Sequence, residues 1–209
     1  MVATSERYKG EPIRTSLLQL VLVLEIAINL VVLGVVVAAG DGMLRFPEPW
    51  HSIYQAIARS LGVWPFAAAL CLLFWIFRAN KNAAALSGLP LDHSPGWAVG
   101  WFFVPFANWW KPFEVMREIY KASRTPHEWR KAKRAAIVGW WWGVYLIGSV
   151  ASIGIMVANS TGDTLLLRRF AVALYAAIVV HQTLLLIIVG RIVKWQATAH
   201  RAGGVENVF

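Results

Sequence analysis

Glu25 and His181 are the residues best suited by type to do chemistry, because each interrupts a long apolar run. A carboxylate and an imidazole in contact can hold or pass a proton near neutrality. Ionisable groups inside a bilayer are costly, so they normally face the protein interior and have partners. Asn29 stands one helical turn beyond Glu25, and Gln182 follows His181. Counted from Ser16 and Gly190, the polar ends of their runs, Glu25 and His181 each lie nine residues in, which is about 13 Å of helix. Tyr145 falls at nearly the same depth of a third run. The expectation is a buried polar layer of Glu25, Asn29, Tyr145, His181 and Gln182, with Glu25 against His181. Such a layer is either a static clasp between helices or a proton-responsive or ligand-binding site.

A second candidate lies in the Trp-rich run Trp97–Trp110, which Pro105 breaks. Proline frees a carbonyl from the helix ladder. Non-helical backbone at membrane depth survives only where protein or a wet cavity covers it. Asn108 can donate and accept at once. Pro105, Asn108 and Trp101 are therefore candidates for lining a small ligand or lipid cavity, and the plainer reading is a turn pinned by Asn108. A third candidate is a basic face made of Lys111, Arg117, Lys121, Arg124, Arg130, Lys131, Lys133 and Arg134. Each charge near an anionic membrane surface contributes about 1 kcal/mol. This face is expected to meet anionic headgroups or a protein partner, or to serve only as orienting charge.

Other chemistry is not encoded in any recognisable form. The five His residues include no i, i+4 pair, and Cys71 is the single cysteine. No metal site, cofactor or internal disulfide is expected. Hydrolase, P-loop and dinucleotide fingerprints are missing. The net charge of +9 comes without a soluble basic module, which argues against nucleic acid. A non-catalytic protein is expected.

The elements that must position these residues are long helices. The chain is 58% hydrophobic and 15% charged over 209 residues, against about 45–50% and 25% in soluble domains. Apolar blocks at 16–39, 61–77, 135–158 and 170–190 approach or reach the length that crosses a bilayer. The first exceeds a signal-peptide core of about 7–15 residues and reads as a retained helix. Residues 97–110 rise only about 21 Å as helix, too short to cross. A re-entrant or interfacial segment keeps sixteen of the 20 Lys and Arg on one side, which the positive-inside rule favours. Lys111-Pro112 then opens an amphipathic helix over 112–123, with proline at a preorganised start. Phe113, Met116, Ile119 and Tyr120 form its apolar face, and Glu114, Arg117, Glu118 and Lys121 form the opposite one. Such a helix can lie in the headgroup plane. Gly139 and Gly143 make a G-x-x-x-G pattern that allows close helix approach. The fold class is thus all-α and polytopic: one integral membrane domain over 1–209, with four transmembrane helices, one Trp-rich re-entrant or interfacial segment and a cytoplasmic amphipathic helix.

Pro95-Gly96-Trp97, Phe103-Val104-Pro105, Asn108, Lys111-Pro112, Glu118-Ile119 and Ala122-Ser123 together resemble the signature of a bacterial membrane family, domain of unknown function 4328. Trp75, Arg78, Asn80, Asn82 and Leu86 fit the same family. The resemblance implies an architecture, a multi-pass protein of the bacterial cytoplasmic membrane, and implies no mechanism or catalytic residue. With both termini cytoplasmic, the chain reads as a scaffold or sensor whose inner face meets lipid or a protein partner. The second reading is a lipid- or small-molecule-binding or transport protein, using a cavity near the re-entrant segment and Glu25/His181. A homo-oligomer is compatible with either.

Overall fold

Helix is the only regular structure among the described residues, as the apolar runs require. The computed structural model of the protein describes residues 8, 10, 12–38 and 64–206. Its α-helices are α1 (Pro12–Ala38), α2 (Trp64–Ser87), α3 (Pro95–Gly100), α4 (Lys111–Arg124), α5 (Ala136–Thr161) and α6 (Thr164–Glu206). Short 3-10 turns occupy Ala107–Trp109 and Pro126–Glu128. The gap between the first two apolar runs, 40–60, whose Gly and Pro residues predict a loop with a short helix from Ser52, lies outside the described residues, as do Ala39 and the start of the second apolar run at Leu61.

Three helices are long and apolar enough to cross a membrane: Pro12–Ala38, Ala136–Thr161 and Thr164–Ala202. Only 22% to 33% of each apolar window is buried within the protein. Outward apolar area on that scale suits lipid and not water, which marks a membrane protein. By the same measure α2 is not among the three, because Arg78, Asn80, Lys81 and Asn82 follow its apolar first half.

Three boundaries differ from the sequence expectation. The second apolar run does not stop at Phe77; α2 continues to Ser87. Its polar end packs into the protein and stays helical: Asn80 and Asn82 are buried, and Asn80 Nδ2 donates to His93 O at 3.1 Å. The polar gap left between the last two apolar runs, 159–169, shrinks to a turn at Gly162-Asp163. Gly162 takes φ +71°, and Asp163 N donates to Ala158 O at 3.2 Å, the long bond that closes a helix over a left-handed residue. Asp163 Oδ1 then accepts from Leu166 N at 2.9 Å, capping α6 as α5 ends. The basic tail after Gly190 is likewise helical, part of α6.

The chain divides into two compact units that interleave along the sequence. One comprises Met1–Gln19, Leu70–Gly139 and Leu186–Phe209, and the other Leu20–Ala69 and Trp140–Leu185. The first, the polar unit, buries Trp75, Ile76, Val115, Met116, Ile119, Ile188 and Ile192. Gln196 Nε2 ties its helices together by donating to Ala79 O (3.0 Å) and Ser123 Oγ (2.9 Å). Arg191 donates to the Tyr120 hydroxyl at 3.2 Å, and Trp195 meets the Tyr120 ring edge-on at 4.9 Å. Among the described Lys and Arg residues, all but Arg168 and Arg169 belong to the polar unit. The second, the apolar unit, brings α5 and α6 together through small residues. A Cβ at Gly148 would touch Ala177, and one at Gly154 would strike the Phe170 ring. Gly143 of the G-x-x-x-G pattern meets nothing within 4 Å, and neither does Gly139.

Candidate functional site

The centre of the polar unit is α4, whose extent matches the amphipathic helix read from the sequence. Its environment does not. Pro112, Val115, Met116, Ile119, Tyr120, Ala122 and Ser123 are buried, and so is Glu118, at 5% exposure. Glu118 therefore leaves the outward polar face to which its spacing assigned it. Its carboxylate accepts from the backbone N–H of Asp92 and, at 3.3 Å, from that of His93. The His93 Nδ1 lies 2.9 Å away on the same carboxylate. A buried carboxylate must be partnered, and this one is partnered by a segment 25 residues upstream. α4 is consequently packed into protein over most of its circumference.

Beside this clamp opens a cleft of about 720 Å³. Five of the eight predicted basic residues line it: Lys111, Arg117, Lys121, Arg130 and Arg134. Lys111 pairs with Glu114 at 2.7 Å, and its Nζ sits 5.4 Å over the Trp101 ring. Arg130 pairs with Asp92 at 3.0 Å and covers Trp129. Arg117 rests on the Phe113 ring at 5.1 Å. Lys121 and Arg134 have no carboxylate in reach among the described residues. The remaining predicted residues stand apart from the cleft lining. Arg124 donates to Lys133 O at 2.9 Å and stacks on Tyr120, while Lys131 and Lys133 are exposed. Asp92 and His93 were missed by sequence reasoning. Their only signal was a polar pair just before the Ser94-Pro95 helix start.

The Trp-rich run is not one helix. Ser94 caps α3 through Trp97 N, and α3 ends after six residues. Turns follow, and Phe106 takes φ +64°, ψ −50°. Ala107 N donates to Pro105 O at 2.8 Å, which completes a γ-turn of the rare, strained kind. Asn108 N donates to Val104 O at 3.0 Å. Backbone bonds hold this turn, since the Asn108 side chain makes no hydrogen bond among the described residues. The turn thrusts out Phe106 (81% exposed) and Phe103 (70%), with Trp97, Trp109 and Trp110 about half exposed. Trp101 folds back, tilted on Trp97 at 4.8 Å and edge-on to His93 at 6.5 Å. Neither the large cleft nor a smaller cavity of about 200 Å³ has Pro105, Asn108 or Trp101 in its lining.

In the apolar unit the expected polar layer forms with different pairings. Glu25, 4% exposed, accepts from Gln182 Nε2. Asn29 Nδ2 donates to the Glu25 carbonyl at 2.8 Å. His181 does not reach Glu25; it stacks on Trp141 at 5.4 Å and lies 5.9 Å from the Tyr145 ring. Tyr145 is partly exposed. In a double-mutant cycle on unfolding in a fixed lipid mixture, Glu25→Ala and Gln182→Ala are expected to couple by about 1 kcal/mol. Glu25→Ala and His181→Ala are expected to add within about 0.3 kcal/mol. Coupling in the second cycle and additivity in the first would reverse the assignment. No group of three metal-binding side chains occurs among the described residues.

A family model described as Domain of unknown function (DUF4328) matches residues 52–195. The chain belongs to the DUF4328 family. In this DUF4328 protein the matched span covers α2 to α5 and most of α6, so the cleft, the aromatic turn and Gln182 lie inside it. Glu25 lies outside. Ligninase H2 of Phanerodontia chrysosporium is 40% identical over 73 residues, 32% of this chain and 18% of that protein. The chain thus spans under a fifth of that curated relative's length, and the likeness carries no activity to it. No solved structure matches.

Proposed function

We propose that this is a non-catalytic multi-pass membrane protein, a scaffold or sensor whose polar unit lies at the cytoplasmic face and engages anionic lipid headgroups. The observation that carries the reading is the cleft, where Arg117, Lys121 and Arg134 have no carboxylate partner among the described residues. The exposed Phe103, Phe106, Trp97, Trp109 and Trp110 support it, because aromatic side chains favour the membrane–water boundary. Lys111 over Trp101 joins the aromatic turn to the cleft. In this reading α2 is a fourth crossing, and residues 88–135 leave and rejoin the same side. The segregation of described Lys and Arg into the polar unit supports that arrangement under the positive-inside rule. The one imidazole in the cleft favours binding over turnover. His93 has Nδ1 on Glu118 and Nε2 3.9 Å from Glu114, which holds the ring as a bridge between carboxylates.

The test is lipid titration of the detergent-solubilised full chain. Short-chain phosphatidylglycerol is expected to bind saturably and phosphatidylcholine is not. Lys121→Gln with Arg134→Gln removes two charges, expected to weaken binding by about 2 kcal/mol, or about 30-fold. Equal affinity for the two lipids, or an unaltered variant, would refute the reading.

A further inference from the structure

Five cationic side chains and three carboxylates line the cleft beside α4, so two positive charges are left over when His93 is neutral. The carboxylates are all engaged. Glu114 pairs with Lys111 at 2.7 Å and Asp92 with Arg130 at 3.0 Å, while Glu118 accepts from two backbone N–H groups and contacts His93. Arg117, Lys121 and Arg134 make no side-chain hydrogen bond or ion pair among the described residues. Arg117 and Lys121 stand at i, i+4 on α4, the spacing at which side chains are neighbours. Arg117 rests on the Phe113 ring, and a guanidinium stacked on a ring keeps its in-plane N–H groups for an acceptor.

A phosphodiester headgroup brings one negative charge to such a site. A terminal phosphomonoester brings about −1.5 to −2 at pH 7, with three acceptor oxygens. The monoester therefore matches both the charge excess and the three available cations, two of them able to grip pairs of oxygens. A free phosphate ion has the same chemistry. The cleft, at about 720 Å³, is several times larger than the roughly 150 Å³ cavity that holds benzene, and Lys111 over Trp101 joins it to the exposed aromatic turn. Both features suit a phosphate carried on a lipid.

We propose that the cleft selects a lipid with a terminal phosphomonoester, of the phosphatidic acid type, over phosphodiester lipids. This rests on the lipid-binding reading and adds the headgroup class.

The experiment is titration of the detergent-solubilised full chain at pH 8, where a phosphomonoester has lost its second proton. The probes are short-chain phosphatidic acid, phosphatidylglycerol, cardiolipin and phosphatidylcholine, with inorganic phosphate, at one ionic strength. Phosphatidic acid is expected to bind about fivefold more tightly than phosphatidylglycerol, the factor for one further charge at the surface. Arg117→Gln is expected to bring that preference below about twofold, and Arg134→Gln to do the same; both side chains are exposed. Lys131→Gln, exposed and outside the lining, is expected to leave it unchanged. Equal binding of phosphatidic acid and phosphatidylglycerol, both above phosphatidylcholine, would overturn the headgroup class and leave the lipid reading standing. Equal binding of all the lipids would sink both. Cardiolipin as tight as phosphatidic acid would mean that total charge is selected, and inorganic phosphate as tight would mean a soluble ligand. Either result, or an unaltered preference in both arginine variants, would overturn the proposal.

Discussion

Replacing Glu118 with alanine is expected to destabilise the protein by about 3 kcal/mol, the largest effect of any single polar substitution considered. The carboxylate is 5% exposed and accepts from two backbone N–H groups and the His93 ring. Alanine leaves those donors without their acceptor, each at about 1–3 kcal/mol if water cannot reach it. It also leaves His93 with only Glu114, 3.9 Å away. Glu118→Gln keeps one oxygen in place and is expected to lose about half as much. For a chain of this size 1 kcal/mol shifts the melting temperature by roughly 2–4 °C, so the alanine variant should melt roughly 10 °C lower in a fixed detergent. The cleft should suffer with it, because Asp92 anchors Arg130 and is itself anchored by Glu118. A loss under about 1 kcal/mol would mean that the clamp is not a support of the polar unit.

Gly154→Ala is expected to destabilise by about 1–3 kcal/mol through overpacking. A Cβ there would lie 2.5 Å from the Phe170 ring, closer than packed carbon atoms approach, and the ring is held where α6 leaves its tight turn at Gly162-Asp163. Truncating the obstacle should recover part of the loss, so Gly154→Ala with Phe170→Leu should be more stable than the sum of the two single effects. Gly143→Ala is the control: its Cβ would meet nothing within 4 Å, and a change within about 0.5 kcal/mol is expected. Thermal unfolding in one detergent measures all four. Equal losses at Gly143 and Gly154 would contradict the α5–α6 approach.

The apolar helices were legible because length and apolarity decide them, and α4 because its charges and apolar residues alternate at helical spacing. The partner of Glu25 was not legible, for a geometric reason. His181 and Gln182 differ by only about 1.5 Å in depth but by about 100° around the helix. Counting depth from the helix ends cannot separate them; only the azimuth of α6 does, and packing sets that. Glu118 escaped for a related reason. Its position on the helical wheel is polar-facing, and nothing local reveals that Asp92 and His93, from 25 residues upstream, cover that face. The aromatic run folds as a six-residue helix followed by turns, and its γ-turn depends on a positive φ at Phe106, which no residue type there announces. The polar ends of α2 and α6 looked like loops because their charges were counted and their hydrogen-bond partners could not be.

The placement of residues 88–135 on the side shared by the ends of α1 and α6 underlies the lipid-facing reading, and sidedness labelling tests it directly. Cys71 is the single native cysteine, so a Cys71→Ser background accepts one cysteine at a time. Asp92, Lys133, Arg201 and Asp163 are all exposed, and the last two mark opposite ends of α6. An impermeant maleimide applied to sealed vesicles of known orientation is expected to label Asp92→Cys, Lys133→Cys and Arg201→Cys from one side, and Asp163→Cys from the other. Lys133→Cys reacting with Asp163→Cys, and opposite to Asp92→Cys, would mean that the aromatic run crosses the membrane, and the account would fail.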